Sequence, residues 1–430
     1  MIKILLGVGI MLVLISESSL SQGSVELRSF YSNSLERNRL VNVYTPFGYD
    51  PEGSIDYPVI YFLHGGARDH NSYPFIYYAL DDLIFNNDIE PVILVKPNGN
   101  CHINLPHAGA FYTNSELLGN HEDYIANDLV EFIDSNYRTL PEPGKRYIMG
   151  HSCGAYGCMK IALKHPDIFG GVASHGGTPD LKVGLSLWRL RAMVENGGEP
   201  PFYFSPFDGV FSISLFGWAA AFSPNLGNQP YYVDFPLDSQ GEIIDSIVAR
   251  WQPNDPVYLA RELSPADNPA IYFDCGTNDE FDCYPMNTSF AESLEVSGLT
   301  YSFQSYPGDH YNQLAARFYV SLAYFDSVMN SPTKIDFDET IIPSTISLLQ
   351  NYPNPFNAST TIEYALTEAA DVQITIYNIL GRQIATLVDS PLPAGHHRVT
   401  WDAGDLRSGI CFYRIQAGDY SRTKKMILLK

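Results

Sequence analysis

Gly150-His151-Ser152-Cys153-Gly154 is the stretch of this sequence best equipped for chemistry. A short apolar run, Tyr147-Ile148-Met149, leads into it, and a helix-like pattern from Ala155 to Leu163 leads out. A serine set between glycines at a strand-to-helix junction is held on a turn too tight for side chains at the flanking positions. Its hydroxyl is pushed into solvent at the start of the helix, where the backbone N–H of Cys153 is aimed at negative charge developing on a bound carbonyl. The chemistry expected of Ser152 is nucleophilic attack on an acyl carbon.

A serine hydroxyl needs a base, and the base needs a carboxylate behind it. In folds that present a serine from such a turn, the order along the chain is serine, acid, histidine. Downstream of Ser152 lie His165, His175, His310, His396 and His397. His165 adjoins Pro166 at a helix end, His175 follows the next strand too early, and the last two belong to a separate C-terminal stretch. His310 remains, on the turn Pro307-Gly308-Asp309-His310. The preceding loop offers Asp274, Asp279, Glu280 and Asp282; Asp274 is too near a strand end, Asp279 is the expected acid, and Asp282 is second. Upstream, His64-Gly65-Gly66 follows an apolar run and brings backbone N–H groups, with that of Cys153, to an oxyanion hole. Cys275 and Cys283 bracket Asp279 eight positions apart. A disulfide between them is expected to hold the loop still.

These groups must be positioned by strands. Asn38 to Tyr44 reads as one member of an opening antiparallel pair. Buried-strand runs follow at 57–63, 91–96, 147–149, 171–174, 269–273 and 299–306, with helical spacing at 122–137, after Ser152, and at 314–329. Alternating buried strands and helices predict an α/β domain, a mostly parallel sheet covered on both faces, with ligands at the carboxyl ends of its strands. Each of the polar loops singled out above follows a strand. Between 178 and 261 the alternation stops in favour of an aromatic, turn-rich insert, expected to cap the serine and shape its pocket.

Asp and Glu number 48 against 26 Lys and Arg, a net charge of −22. That balance argues against a nucleic-acid partner. Residues 1–21 read as a signal peptide: Lys3, an apolar core from Ile4 to Ile15, and small residues at Ser19 and Ser21. The core is too short to span a bilayer, so an exported chain without a transmembrane segment in its mature form is expected. Export suits disulfides. The other four cysteines have no zinc-type spacing, and neither a metal nor another cofactor is expected.

Residues 25–330 resemble the Putative esterase (esterase D-like, feruloyl esterase-like) family of α/β-hydrolases. The resemblance rests on Tyr61-Phe62-Leu63-His64-Gly65-Gly66, Phe132 to Thr139, Gly150 to Gly154, His165-Pro166-Asp167-Ile168-Phe169-Gly170, Asp274 to Asp279, and Gly308-Asp309-His310. It implies Ser152 as nucleophile, His310 as base and Asp279 as acid, and a domain over 22–330. Residues 331–345 read as a linker. From 346 to 430, short alternating runs separated by turns predict a small all-β sandwich. Asn351 to Asn357, Tyr377 to Arg382, Ser408 to Arg414 and the basic end Lys424 to Lys430 resemble the C-terminal sorting domain of type IX secretion cargo. That resemblance implies a secretion-machinery partner and a secreted or cell-surface destination. The expected activity is hydrolysis of carboxylic esters, feruloyl or acetyl groups on plant polysaccharide foremost. A non-catalytic glycan-binding protein and an acyltransferase to sugars are the alternatives.

Overall fold

The computed structural model describes residues 22–99, 109–330 and 346–429, apart from 349–350, 352–353, 394, 405 and 419. The expected signal peptide, the linker and Cys101 lie outside the described residues.

Eight strands form the central sheet: β1 (Ser24–Ser32), β2 (Arg37–Thr45), β3 (Val59–Leu63), β4 (Ile93–Pro97), β5 (Arg146–His151), β6 (Gly171–His175), β7 (Ala270–Gly276) and β8 (Tyr301–Tyr306). Their order across the sheet is β1-β2-β4-β3-β5-β6-β7-β8. The first hairpin is antiparallel and β2 meets β4 antiparallel. From β4 through β3 and on to β8 the pairing is parallel. Parallel strands need crossovers, and helices on both faces supply them. Every residue of β3, β4, β5 and β6 is buried, so these strands read as continuous apolar runs.

Alternate residues along each strand face opposite layers. Tyr61, Ile148, Val172, Ile271 and Phe273 join one core with Met159 and Ile161 of α3 (Cys153–Lys164) and Phe290 and Leu294 of α7 (Cys283–Val296). Ile60, Phe62, Tyr147, Met149 and Tyr272 join the other, with Ile76 and Leu80 of α1 (Phe75–Phe85) and Phe318 and Phe325 of α8 (Leu314–Asn330). The stretch expected as one helix over 122–137 is helical but interrupted by a π-helical turn at Tyr124–Leu129 before α2 (Val130–Asn136).

The insert contains more regular structure than its turn-rich sequence suggests: α4 (Leu181–Glu195), α5 (Val210–Phe222) and, near its end, α6 (Pro256–Glu262). Helix α5 is apolar almost all round because it is buried almost all round, which removes the amphipathic period that marks a surface helix. Trp188 stacks on Trp218 at 4.5 Å, and this third core also takes in Phe111, Tyr156 and Met286 of the sheet domain.

The C-terminal portion is a two-sheet unit. β9 (Ser347–Leu348), β10 (Ser359–Leu366) and β13 (Gly395–Asp402) make one sheet; β11 (Ala370–Asn378), β12 (Gln383–Leu392), β14 (Gly409–Ala417) and β15 (Tyr420–Leu428) make the other. Ile362 and Trp401 of the first share a core with Ile374, Tyr413 and Met426 of the second. β12 escapes sequence reading because its residues are exposed or half-buried with no clean alternation.

Candidate active site

Ser152 sits between β5 and α3 with φ 57° and ψ −121°, a left-handed conformation that a serine adopts only when its surroundings impose it. The imposition is visible on both sides. A methyl group at Gly154 would lie 2.0 Å from the Leu63 carbonyl oxygen, and one at Gly150 would lie 2.4 Å from the Gly154 carbonyl. The Ser152 N–H donates to the His175 carbonyl at 3.0 Å, which ties the turn to β6.

His310 is buried on the loop after β8. Its Nδ1 donates to Asp279 Oδ2 at 2.7 Å, and both side chains are almost wholly enclosed. That bond leaves Nε2 as the acceptor nitrogen, and among the described residues Nε2 has no hydrogen-bond partner. The Asp279 carboxylate also accepts from the Phe281 N–H at 2.9 Å, and the His310 N–H donates to Glu280 at 3.1 Å. Asp282, the second candidate acid, points elsewhere: it pairs with Arg191 of α4 at 3.1 Å. Asp274 is taken by His175 at 3.0 Å and Arg317 at 2.8 Å. Burial alone would favour its neutral acid, but the pairing with His175 and the Arg317 guanidinium outweigh burial and hold Asp274 well below the usual carboxylate range.

His151, which sequence reasoning passed over, joins the serine strand to His310. Its Nε2 donates to the His310 carbonyl at 3.0 Å, and its Nδ1 accepts from the Tyr73 hydroxyl at 3.0 Å. Burial, then the neighbouring His310, pushes its pKa well below the ordinary histidine value, so it stays neutral with the proton on Nε2. Its position before the serine in Gly-His-Ser was the available signal. Tyr73 carried none.

His64 fixes the glycine turn after β3. Its Nδ1 donates to the Gly65 carbonyl at 2.8 Å, and its Nε2 accepts from the Gly99 N–H at 2.8 Å. Burial pushes its pKa down to about 4, consistent with this neutral form. In a trans peptide the N–H lies opposite the C=O, so holding the Gly65 carbonyl toward His64 sets the Gly66 N–H on the other side. A methyl group at Gly65 would lie 3.2 Å from Ser152 Cβ and 2.9 Å from the Tyr73 hydroxyl, so only glycine lets this backbone approach the serine so closely. Cys153 opens α3, with its side chain against the insert's apolar core.

The expected Cys275–Cys283 disulfide is absent: both residues are buried thiols. Cys275 stays within β7, whereas Cys283, in the first turn of α7, donates its S–H to the Gly176 carbonyl at 3.4 Å. Ligand atoms of Asp279, Cys283 and His310 lie within 4.8 Å of one another, a grouping that resembles a metal set. Two of its members already bond each other, and burial together with the Asp279 charge holds the Cys283 thiol well above its ordinary pKa. The loop is steadied instead by the insert: Trp188 Nε1 donates to the Phe281 carbonyl at 2.8 Å, and the Phe281 ring lies 4.8 Å from that of His310.

Residues 32–323 match the family model described as Putative esterase. Residues 350–429 match the model described as Secretion system C-terminal sorting domain. Esterase Rv1288 of Mycobacterium tuberculosis is 28% identical over 289 residues, covering 65% of this chain and 54% of that protein. Endo-1,4-beta-xylanase/feruloyl esterase of Xylanibacter ruminicola is 31% identical over 158 residues, 35% of this chain and 21% of that protein. The chain thus spans about half the length of the first of these relatives, and less of the second. A solved ferulic acid esterase superposes with a TM-score of 0.51 at 19% identity, covering 72% of this chain and 99% of that one, a likeness of fold.

Proposed function

We propose that this chain, which belongs to the Putative esterase family, is an exported serine esterase acting through Ser152, His310 and Asp279. The observation that carries the reading is the buried 2.7 Å bond from His310 to Asp279, which leaves Nε2 without a partner among the described residues. In the proposed reaction Ser152 Oγ attacks the ester carbonyl carbon while its proton passes to His310 Nε2. The oxyanion accepts from the Cys153 N–H and from the Gly65 and Gly66 N–H groups. Collapse breaks the bond to the alcohol oxygen, and His310 returns the proton to the leaving alcohol. Water then attacks the acyl-serine by the same path reversed. Asp279 accepts from Nδ1 throughout and keeps the imidazole in its Nδ1–H form.

The feruloyl esterase among the named relatives supports feruloyl esters of plant polysaccharide as substrates, and we keep acetyl esters beside them as the second candidate. The sorting-domain match, over 350–429, supports passage through a type IX secretion machinery to the exterior or the cell surface; the signal peptide at 1–21 is proposed from the sequence alone. Among the described residues no helix is long and apolar enough to cross a membrane. We read 22–330 as the catalytic domain, 331–345 as a linker, 346–430 as the sorting domain, and the insert as a cap. The test is Ser152→Ala. It is expected to abolish p-nitrophenyl acetate and methyl ferulate hydrolysis with the circular dichroism spectrum and melting temperature retained, and undiminished turnover would remove the assignment.

A further inference from the structure

His310 is held at three points. Its Nδ1 donates to Asp279 at 2.7 Å and its N–H to Glu280 at 3.1 Å, both on the loop after β7. The third point is its carbonyl, which lies 3.0 Å from Nε2 of His151, the last residue of β5. A carbonyl only accepts, so His151 carries its proton on Nε2 and offers Nδ1 as an acceptor. The Tyr73 hydroxyl donates to that Nδ1 at 3.0 Å. Tyr73, His151 and the His310 carbonyl thus form a chain of hydrogen bonds that runs one way, through the residue next to Ser152.

The start of this chain is held in a conformation that its own residue type resists. Tyr73 has φ 58°, in the left-handed region where a bulky side chain stays only if its surroundings keep it there. Lys96, buried on β4, donates to the Ser72 carbonyl just before it. The Tyr73 ring meets that of Phe62 on β3 edge-on, with centroids 5.2 Å apart. Its hydroxyl lies at the Gly65 corner, where a methyl group would come within 2.9 Å of it. The chain therefore links the glycine turn after β3, the serine strand and the loop of His310. The rings are close as well: that of His151 lies 4.7 Å from His310 and 5.1 Å from Tyr311. A histidine that takes up a proton becomes cationic, and a neutral neighbour at this range leaves the new charge unopposed.

We infer that His151 and Tyr73 are positioning residues for the proposed reaction: Tyr73 orients the His151 ring, and His151 fixes the backbone of His310 so that Nε2 meets the Ser152 hydroxyl. The inference rests on the esterase reading and adds to it two residues that act through the base. Asp279 orients the imidazole; His151 places the residue that carries it.

The experiment uses the full chain and p-nitrophenyl acetate. His151→Leu, of similar volume but without either nitrogen, is expected to lower kcat about 10²-fold with KM within about twofold, as a small misplacement of a base does. His151→Gln, whose amide N–H can donate to the same carbonyl, is expected to recover about tenfold of that loss. Tyr73→Phe, which keeps the ring packing, is expected to lower kcat about tenfold. Combined with His151→Leu it is expected to cost no more than His151→Leu alone, because the hydroxyl acts only through that ring. NMR of isotope-labelled histidines, with the His151 signal assigned by its loss in His151→Gln, is expected to show a neutral ring protonated at Nε2. A folded His151→Leu with kcat within about twofold of the parent overturns the inference. So does His151→Gln that performs no better than His151→Leu, or a His151 ring protonated at Nδ1. Should His151→Leu not fold, Tyr73→Phe decides: a kcat within about twofold of the parent overturns the inference. An active parent with unaffected variants defeats this inference alone, whereas a parent inactive on p-nitrophenyl acetate and methyl ferulate defeats the esterase reading and the inference with it.

Discussion

His310 reaches Asp279 through Nδ1 at 2.7 Å inside the protein, with water excluded from both groups. The carboxylate therefore determines which imidazole nitrogen carries the proton at rest. Asp279→Asn is expected to lower kcat by about 10³–10⁴-fold with little change in KM, because the amide leaves the ring in the wrong tautomer. Asp282→Asn, which removes only a pairing with Arg191, is expected to leave kcat within about twofold. Steady-state kinetics on p-nitrophenyl acetate decide between the two acids.

His64 makes stability depend on pH. Its folded pKa, pushed to about 4, lies below the ordinary 6.5, so between these values the unfolded chain binds the extra proton. The stability it contributes is complete above about pH 6.5 and is lost as pH falls toward 4, at about 1.4 kcal/mol per unit. His151, buried and neutral, acts in the same direction. Thermal unfolding at pH 7 and pH 5 is expected to show a smaller loss in His64→Asn than in the parent.

Gly154 has no room for a methyl group beside the Leu63 carbonyl. Gly154→Ala must separate α3 from β3 or break the turn at Ser152, an expected cost of about 3–5 kcal/mol. Denaturant titration measures it. A stability within 1 kcal/mol or so of the parent would contradict the packing described.

Lys160 is buried on α3, pairing with Glu122 at 2.7 Å and donating to the Tyr112 carbonyl at 2.7 Å. Burial lowers its pKa to about 8, with Glu122 opposing the shift. Lys160→Met is expected to destabilise by about 3 kcal/mol, the low end for a broken buried pair, because Glu122 keeps Lys164 and His165. Glu122→Gln, which strands the lysine, is expected to cost more. Chemical denaturation of the two variants gives the order.

Much of this molecule was legible because its signals are local. Buried parallel strands write themselves as apolar runs, and the glycines around Ser152 mark a turn that only glycine permits. His310 and Asp279, 31 positions apart, were found by loop order along the sheet. Tyr73 was not found: a tyrosine 78 positions before His151 meets it only through the fold. His175 was set aside as too early in the chain, and its pairing with Asp274 depends on β6 and β7 being neighbours. The disulfide expectation failed because spacing says nothing of direction, and Cys283 is turned toward Gly176. The insert hid its helices by burying them.

The grip of Trp188 and Phe211 on Phe281, with the Arg191–Asp282 pair, gives the insert a mechanical handle on the loop that holds His310. Elsewhere its helices pack on one another and on Phe111, Tyr156 and Met286 of the sheet domain. If the insert caps the serine as proposed, substrate fit and the placement of His310 meet at one clasped aromatic ring, that of Phe281.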